Sequence, residues 1–304
     1  MIRKAAACVI ALSIVLGGGF RGTMEAFAGE TSFGISSEEP VSYLGPEGTY
    51  TEEATQRFFG RSGDYRPQET VQAALQRLLD GSCKYAVIPQ ENTIGGPVYE
   101  YLDALLAQGQ VSVQGEVELP ISQTLLVKEG TELLEIKTVY SHKQGIVQSA
   151  EWLAKNLPSA KVVETASTAE GARMVAASGT ADCAAIASAG AAEVYGLRPL
   201  AEGIQANDDN QTRFYVVSLE APGQALSDRM LFTARGDAEN LPKLMEKLSQ
   251  EGLKLVSIHD RPAKTVLGEY VYLIECEAGS YQAYERLCSI PGFQFQFYGT
   301  FPVK

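Results

Sequence analysis

From residue 41 onward the chain alternates short apolar runs with amphipathic runs of helical period, and this alternation restricts the fold more than any other feature. The apolar runs at residues 85–88 and 183–187 have the length of buried strands. The run at residues 98–106 places its apolar side chains on one side of a helix. Strands that alternate with helices predict a layered α/β domain with largely parallel sheets.

The order of the predicted elements changes after residues 221–228, a segment with Pro and Gly that is typical of a linker. Residues 229–304 then follow the order strand, helix, strand, strand, helix, strand, which is the ferredoxin-like arrangement. The sequence therefore predicts a larger domain over residues 41–220 and a smaller βαββαβ domain over residues 229–304.

The first 28 residues have the three parts of a secretory signal peptide. A basic start precedes an apolar run too short to span a bilayer, and Ala26-Phe27-Ala28 forms a small-x-small cleavage site. We expect cleavage after Ala28, a leader over residues 29–40, and export to a periplasm or to the medium. An uncleaved membrane anchor and a mistaken start codon are the alternatives.

The net charge and the composition restrict which binding partners are expected. The formal net charge of −12 argues against nucleic acid and against an anionic membrane after signal cleavage, because both reward Lys/Arg patches. An anionic substrate must therefore be held by local groups. With 2 histidines and no Cys-x-x-Cys spacing, the sequence predicts no metal site.

Four cysteines remain beyond the predicted cleavage site: Cys83, Cys183, Cys276 and Cys288. An even number in an oxidising compartment is compatible with disulfides, but the spacing does not select a pairing. Because each lies in an apolar strand or helix pattern, four buried thiols are the slightly favoured interpretation.

Three predicted helices begin with a hydroxyl residue followed three positions later by Glu or Gln, the pattern of a capping box. The hydroxyl residues are Thr49, Ser141 and Ser167. Most capping boxes only cap helices, yet the free N–H groups and the dipole at a helix start also bind anions. Several such helix starts around one crevice would suit a dicarboxylate.

Two polar segments are further candidates. Residues 89–96 follow an apolar strand and would lie at its carboxyl end, where α/β folds bind ligands, with Asn92 either a ligand contact or a plain turn residue. Residues 205–213 end in Thr212-Arg213, which places a hydroxyl donor beside a guanidinium. That pair suits a carboxylate and a leaving hydroxyl, and a solvated loop is the alternative.

These residues resemble the prephenate dehydratases. Residues 43–54 look like the opening motif of that family, and Glu91-Asn92-Thr93 resembles its second motif. Residues 119–121, 140–142 and 195–197 match in the family's order. Residues 210–214, Asn-Gln-Thr-Arg-Phe, match its hallmark.

The resemblance implies two α/β lobes around a cleft, as in periplasmic binding proteins, and a C-terminal ACT regulatory domain. It implies conversion of prephenate to phenylpyruvate, with loss of water and carbon dioxide and no cofactor, in phenylalanine biosynthesis. It also implies a homodimer or homotetramer and an amino-acid effector.

The same resemblance assigns roles to residues. Thr212 would help the ring hydroxyl to leave, as a hydrogen-bond donor, and Arg213 would pair with a carboxylate or orient the loop. Gln148 lies about two helical turns after Ser141, so both are expected to face the same side. The implied substrate-binding residues are Asn92, Ser141, Gln148, Thr168, Thr49 and Phe214.

The C-terminal domain departs from the family pattern at its effector motifs. Residues 239–241, Glu-Asn-Leu, replace Gly-Ala-Leu, and residues 259–262, His-Asp-Arg-Pro, replace Glu-Ser-Arg-Pro. The candidate effector-binding residues are Asn240, Leu241, Arg261 and Pro262. Glu239 stands where the family has Gly, and its side chain leaves less room for a bound amino acid to approach the backbone. The identity of the effector is therefore left open.

Two other functions fit part of the sequence. An exported solute-binding protein for an aromatic or dicarboxylic acid would share the lobes and the signal peptide, but Thr212, Arg213, Asn92 and the ACT domain favour the enzyme. A prephenate decarboxylase that avoids aromatisation is disfavoured by Thr212.

Overall fold

The computed structural model describes residues 38–304, so the predicted signal peptide and nearly all of the predicted leader lie outside the described residues. The strands are β1 (Val41–Leu44), β2 (Tyr65–Gln68), β3 (Tyr85–Asn92), β4 (Gly96–Pro97), β5 (Ser112–Pro120), β6 (Thr124–Val127), β7 (Thr138–Ser141), β8 (Lys161–Glu164), β9 (Cys183–Ala187), β10 (Arg198–Ala201), β11 (Gln211–Ser218), β12 (Arg229–Asp237), β13 (Lys254–Pro262), β14 (Glu269–Glu277) and β15 (Phe293–Phe301). The helices are α1 (Tyr50–Phe59), α2 (Val71–Leu79), α3 (Tyr99–Ala107), α4 (Lys143–Gln148), α5 (Ala150–Asn156), α6 (Thr168–Ala177), α7 (Gly190–Tyr195), α8 (Leu241–Gln250) and α9 (Tyr281–Leu287).

Two sheets build the two lobes of the larger domain. The first lobe has the strand order β2-β1-β3-β11-β5, with β4 paired to β3, and the second has the order β10-β6-β9-β7-β8. The chain passes into the second lobe after β5 and returns to the first lobe at β11. The predicted two-lobed α/β architecture is confirmed.

The sheets of both lobes are mixed, so the prediction of largely parallel sheets was wrong. Strand β1 is parallel to β2 and β3, and β7 is parallel to β8 and β9. Strand β11, however, is antiparallel to β3 and β5, and β6 is antiparallel to β9 and β10. The strands missed from sequence, β2, β4, β5 and β10, contain Pro, Gly or charged residues that obscure a strand pattern.

The single helix expected after Ser141 is two helices, α4 and α5, which meet at Ser149. Ser149 leaves the helical backbone geometry, with φ −103° and ψ 8°. Ser141 itself is the last residue of strand β7, whereas Gln148 ends α4. The expectation that helical spacing places both on one face was therefore wrong.

The C-terminal domain has the predicted ferredoxin-like fold. Its sheet is antiparallel with the order β13-β14-β12-β15, and α8 and α9 cover one face. Buried side chains of this face include Phe232, Leu244 and Leu287. The strict alternation of residues 270–277 in β14 supports this prediction.

The other face of the C-terminal sheet packs on the first lobe. Tyr215 of β11 belongs to the same buried cluster as Leu273 and Phe301 of the C-terminal domain. The chain end also pairs with β5, since Glu116 N donates to Pro302 O at 2.9 Å. Strand β11 therefore lies in a sheet with a cleft at one face and the C-terminal domain at the other.

The four cysteines are free thiols in the described structure. Cys83, Cys183 and Cys276 are buried as predicted, but Cys288 is exposed because it caps α9 on its solvent side. Across residues 38–304, no helix has the length and apolar character needed to cross a membrane.

Candidate active site

A cleft of about 1020 Å³ lies between the lobes. Its charged lining residues are Glu47, Glu69, Glu170 and Arg173, together with the titratable His142. Arg173 is the one Lys or Arg among the described lining residues, so neutral donors must supply most of the binding of an anion.

Three helix starts converge on this cleft, as the capping-box argument anticipated. Thr49 at α1, His142 at α4 and Ser167 at α6 all line it. Because the first N–H groups of a helix have no intrahelical acceptor, each start presents donors and a positive dipole end. The neutral donors are therefore concentrated where a dicarboxylate would lie.

Two of the three predicted caps form as expected. Thr49 Oγ1 accepts from Glu52 N at 3.3 Å, and Ser167 Oγ accepts from Glu170 N at 3.0 Å. At α4 the cap is His142, whose Nδ1 accepts from Gln144 N at 3.3 Å. The prediction of Ser141 as that cap was wrong, because Ser141 still belongs to strand β7.

Thr212 lines the cleft, and Asn92 holds its hydroxyl. Asn92 Nδ2 donates to Thr212 Oγ1 at 2.9 Å and to Asn210 Oδ1 at 2.8 Å, and it lies 3.1 Å from Gln211 O. An amide nitrogen has two hydrogens, so these three acceptors share them. Because Thr212 Oγ1 accepts from Asn92, its own proton can be donated into the cleft.

The orientation of the Asn92 amide is fixed from its oxygen side. Oδ1 accepts from Gly95 N at 2.9 Å and from Gln144 Nε2 at 2.9 Å. Gln144 belongs to the second lobe, so this bond also spans the cleft. The nitrogen end is consequently directed at Thr212.

Arg213 does not line the cleft, so pairing with a substrate carboxylate does not fit its position, and the other role expected for it, orienting the segment, stays a prediction. Successive side chains of a strand point to opposite faces, so the strand that turns Thr212 and Phe214 to the cleft turns Arg213 away. Its guanidinium pairs with protein carboxylates, at 2.5 Å to Glu116 and 3.1 Å to Glu91.

The predicted substrate-binding residues divide into two groups. Those that line the cleft are Thr49, Asn92, Gln148, Thr168 and Phe214.

Ser141 does not line it. Its side chain is fully buried and its Oγ donates to Ile186 O at 2.7 Å. A Cβ on Gly145 would lie 2.6 Å from that Oγ, so Ser141 supports the start of α4 from beneath rather than facing a substrate.

Sequence reasoning missed several cleft residues. Gln123 Nε2 donates to Gln148 Oε1 at 2.9 Å and so orients it. Arg173 lies one turn into α6 and makes a paired contact with Glu170, both bonds at 2.7 Å, which lowers the pKa of the Glu170 carboxyl. Neither residue lies in a recognisable motif, although Arg173 follows Glu170 by three positions, the spacing at which helical side chains can pair.

The lobes approach closely at Gly48, which has φ +79°. A Cβ there would lie 3.1 Å from Ala191 Cα of the second lobe. Ser188 Oγ donates to Gly48 O at 3.0 Å, and Tyr195 OH donates to Glu47 O at 2.7 Å. The close approach that the glycine permits is thus between the two lobes.

A second, smaller groove of about 320 Å³ lies on the C-terminal domain. It is lined by Ala238, Leu241, Ile258, Asp260, Tyr270 and Tyr272.

Of the candidate effector residues, Leu241 alone lines this groove. Arg261 instead donates two hydrogen bonds of 2.6 Å to Asp103 of α3, and Pro262 ends β13 outside the lining. Asn240 Oδ1 accepts from Lys243 Nζ at 2.9 Å. Asn240, Arg261 and Pro262 therefore lie outside the lining of this groove, and their role in effector binding stays a prediction.

Within the described part of the chain, no group of three or more His, Cys, Asp or Glu side chains is arranged to hold a metal ion.

The fold and the site define a class: two-lobed α/β proteins with a ligand cleft between the lobes and a C-terminal ACT-like domain. The sequence model of the family described as "Prephenate dehydratase" matches residues 41–222. Over 247 residues the chain is 36% identical to the bifunctional chorismate mutase/prephenate dehydratase of Neisseria gonorrhoeae, covering 80% of this chain and 68% of that protein. It is 34% identical over 245 residues to the prephenate dehydratase of Corynebacterium glutamicum, covering 77% of each. The crystal structure of the Arthrobacter aurescens prephenate dehydratase in complex with L-Phe matches with a TM-score of 0.77 at 28% identity, over 88% of this chain and 90% of that one. The chain belongs to the prephenate dehydratase family.

Proposed function

We propose that this protein is an active prephenate dehydratase, a carbon–oxygen lyase that converts prephenate into phenylpyruvate. The observation that carries the proposal is the Thr212 hydroxyl, which faces the cleft and accepts a hydrogen bond from Asn92. A hydroxyl that accepts in this way is left to donate its proton, which is the property that a departing hydroxide requires.

The reaction needs one proton and one electron pair. The bond from the ring carboxyl group to the ring breaks, its electron pair enters the ring as carbon dioxide leaves, and the bond to the ring hydroxyl breaks. Thr212 donates a hydrogen bond to the departing oxygen, which takes up one proton, supplied in the net reaction by solvent, and leaves as water. Aromatisation supplies the driving force, so the step balances without an external oxidant or reductant.

Binding of the dianionic substrate would rest on the helix starts and on one arginine. The N-terminal residues of α1, α4 and α6 line the same cleft, and Arg173 lies at its wall. Fixed donors of this kind stabilise charge without reorganising during the reaction. Gln148, oriented by Gln123, would add a neutral donor or acceptor.

The test is to incubate the purified protein with prephenate and to follow phenylpyruvate in alkali. Thr212→Val keeps the side-chain shape and removes the hydroxyl, so we expect kcat to fall by about 100-fold or more with little change in substrate affinity. Thr212→Ser is the matched control and should retain most of the activity. Wild-type protein that binds prephenate tightly without turnover would instead support a solute-binding role.

We propose further that an amino acid binds the groove on the C-terminal domain and regulates the enzyme. The groove has apolar and tyrosine walls and one carboxylate, Asp260, that can accept from an ammonium group. A thermal-shift titration with L-Phe and with other aromatic and aliphatic amino acids tests this, and no shift with any of them would reject it.

Export and assembly are proposals that rest on the sequence. We propose that the chain is secreted and cleaved after Ala28, because basic, apolar and small-x-small segments follow in order. N-terminal sequencing of exported material that begins at residue 1 would contradict this. We also propose a homodimer or homotetramer, which light scattering of the purified protein would distinguish from a monomer.

A further inference from the structure

A buried cluster of charges lies on the face of β11 opposite the cleft. It contains two fully buried carboxyl groups, Glu116 and Glu275, and two mostly buried guanidinium groups, Arg213 and Arg229. Arg213 donates to Glu116 through Nε and to Glu275 through Nη2. Arg229 Nε lies 3.1 Å from Glu275 Oε1. A carboxylate of the C-terminal domain is thus joined directly to the residue next to Thr212.

Glu275 contacts β11 at two alternate positions. Besides its bond with Arg213, its Oε2 accepts from Tyr215 OH at 2.6 Å. Arg213 and Tyr215 flank Phe214, which points the other way into the cleft. One carboxylate therefore holds the segment of β11 that carries the cleft residues Thr212 and Phe214.

Arg213 also lies at an irregularity in the sheet. The pairing of β11 with β3 shifts register between Arg213 and Phe214, and Arg213 Nη1 donates to Glu91 of β3 at 3.1 Å. Glu91 directly precedes Asn92, the partner of Thr212. Because a shift of one residue turns every side chain of a strand to the opposite face, an anchored Arg213 keeps Thr212 facing the cleft.

We propose that Glu275 is a positioning residue of the reaction: through Arg213, the C-terminal domain holds the Thr212 hydroxyl in place from behind the sheet. The inference rests on the proposed dehydratase activity. Strand β14, which carries Glu275, also contributes Tyr270 and Tyr272 to the groove on the C-terminal domain.

A purely structural role makes a different prediction. Buried ion pairs often add little net stability, and loss of one partner mainly leaves the other unsatisfied. A variant affected only in this way would have a smaller folded fraction, but each folded molecule would turn over normally. A positioning role lowers kcat in the folded protein and leaves KM nearly unchanged.

The test is Glu275→Gln, which keeps the shape of the side chain and removes its charge. We expect kcat to fall by about ten-fold or more, with KM within about two-fold, because small displacements of a reacting group are costly. The matched control is Glu277→Gln on the same strand, whose exposed pair with Lys254 spans 3.4 Å, and its kcat should equal that of the wild type. Tyr215→Phe removes one bond to Glu275 and should give a smaller fall, which keeps the test decisive if Glu275→Gln does not fold.

A second readout does not depend on turnover. Amide hydrogen exchange of residues 211–214 should be faster in Glu275→Gln than in the wild type, and unchanged in Glu277→Gln. Unchanged exchange together with unchanged kcat in folded Glu275→Gln would overturn the positioning role. Wild-type protein without turnover would overturn the proposed function, and the exchange comparison would still decide whether Glu275 orders this segment.

Discussion

Glu116 gives the sharpest quantitative prediction, because it is a fully buried carboxyl beside a second one. Burial raises the pKa of Glu116 from 4.5 to about 8, and the neighbouring Glu275 carboxylate acts in the same direction. The Arg213 guanidinium opposes both effects. Near neutral pH, the folded protein therefore holds a proton on Glu116 that the unfolded chain releases.

Proton linkage gives the sign and the size of the effect of pH on the free energy of unfolding. Because the pKa is higher in the folded state, the stabilising contribution is fully present below pH 4.5 and is lost as the pH rises through about 8. In between, the free energy of unfolding falls by up to about 1.4 kcal/mol per pH unit. From pH 6 to pH 8 the loss amounts to about 2 kcal/mol.

Glu116→Gln imitates the protonated acid and cannot ionise. We expect urea unfolding to give nearly equal stabilities for the variant and the wild type at pH 6, and a variant more stable by about 2 kcal/mol at pH 8 and above. Glu118→Gln, the same substitution at a more exposed position of the same strand, is the matched control for the change of side chain. A constant difference between wild type and Glu116→Gln from pH 6 to pH 9 would refute the reasoning.

Three further predictions concern the cleft and the surface. Asn92→Asp replaces the hydrogen-bond donor to Thr212 by an acceptor, which would accept the Thr212 proton instead. Steady-state kinetics should therefore show kcat lower by about 100-fold. An unchanged kcat would count against the assigned direction of that hydrogen bond. Arg173→Gln removes the one Arg or Lys among the described cleft residues. Loss of a charge-assisted contact worth about 2 kcal/mol should raise KM about 30-fold. An unaltered KM would exclude Arg173 from substrate binding. Exposed Cys288 should react with a thiol reagent in the native protein, whereas buried Cys276 should react only after unfolding. Mass spectrometry measures both reaction rates, and equal rates would contradict the described burial.

The sequence predicted those elements whose pattern is local. The bounds of β9 agree with the predicted ones because residues 183–187 form an uninterrupted apolar run. Strand β5 was missed because Gly115, Glu116 and Pro120 interrupt its apolar pattern, and it forms only where β11 and the chain end supply partners. Antiparallel pairing between distant segments leaves no local signal of this kind.

For the site, motifs located the correct segments but not the direction of each side chain. Ser141 was placed on a helix face although it ends a strand, and its buried bond to Ile186 depends on β9, far away in sequence. Gln144 was noted only as a capping residue, because its bond to Asn92 exists only when the two lobes meet. The sequence therefore could not predict the contacts between the two lobes.

The direction of the Arg213 side chain is a different case, because the alternation of side chains along a strand is enough to predict it. Strand β11 spans Gln211–Ser218, and the period of two along a strand separates Thr212 and Phe214 from Arg213. The three adjacent residues thus combine two tasks: Thr212 and Phe214 face the cleft, while Arg213 fastens the strand to Glu116 and Glu275 behind it. Because side chains alternate along the strand, a shift of β11 by one residue would turn the Thr212 hydroxyl out of the cleft. The same shift would separate the Arg213 guanidinium from Glu116 and Glu275.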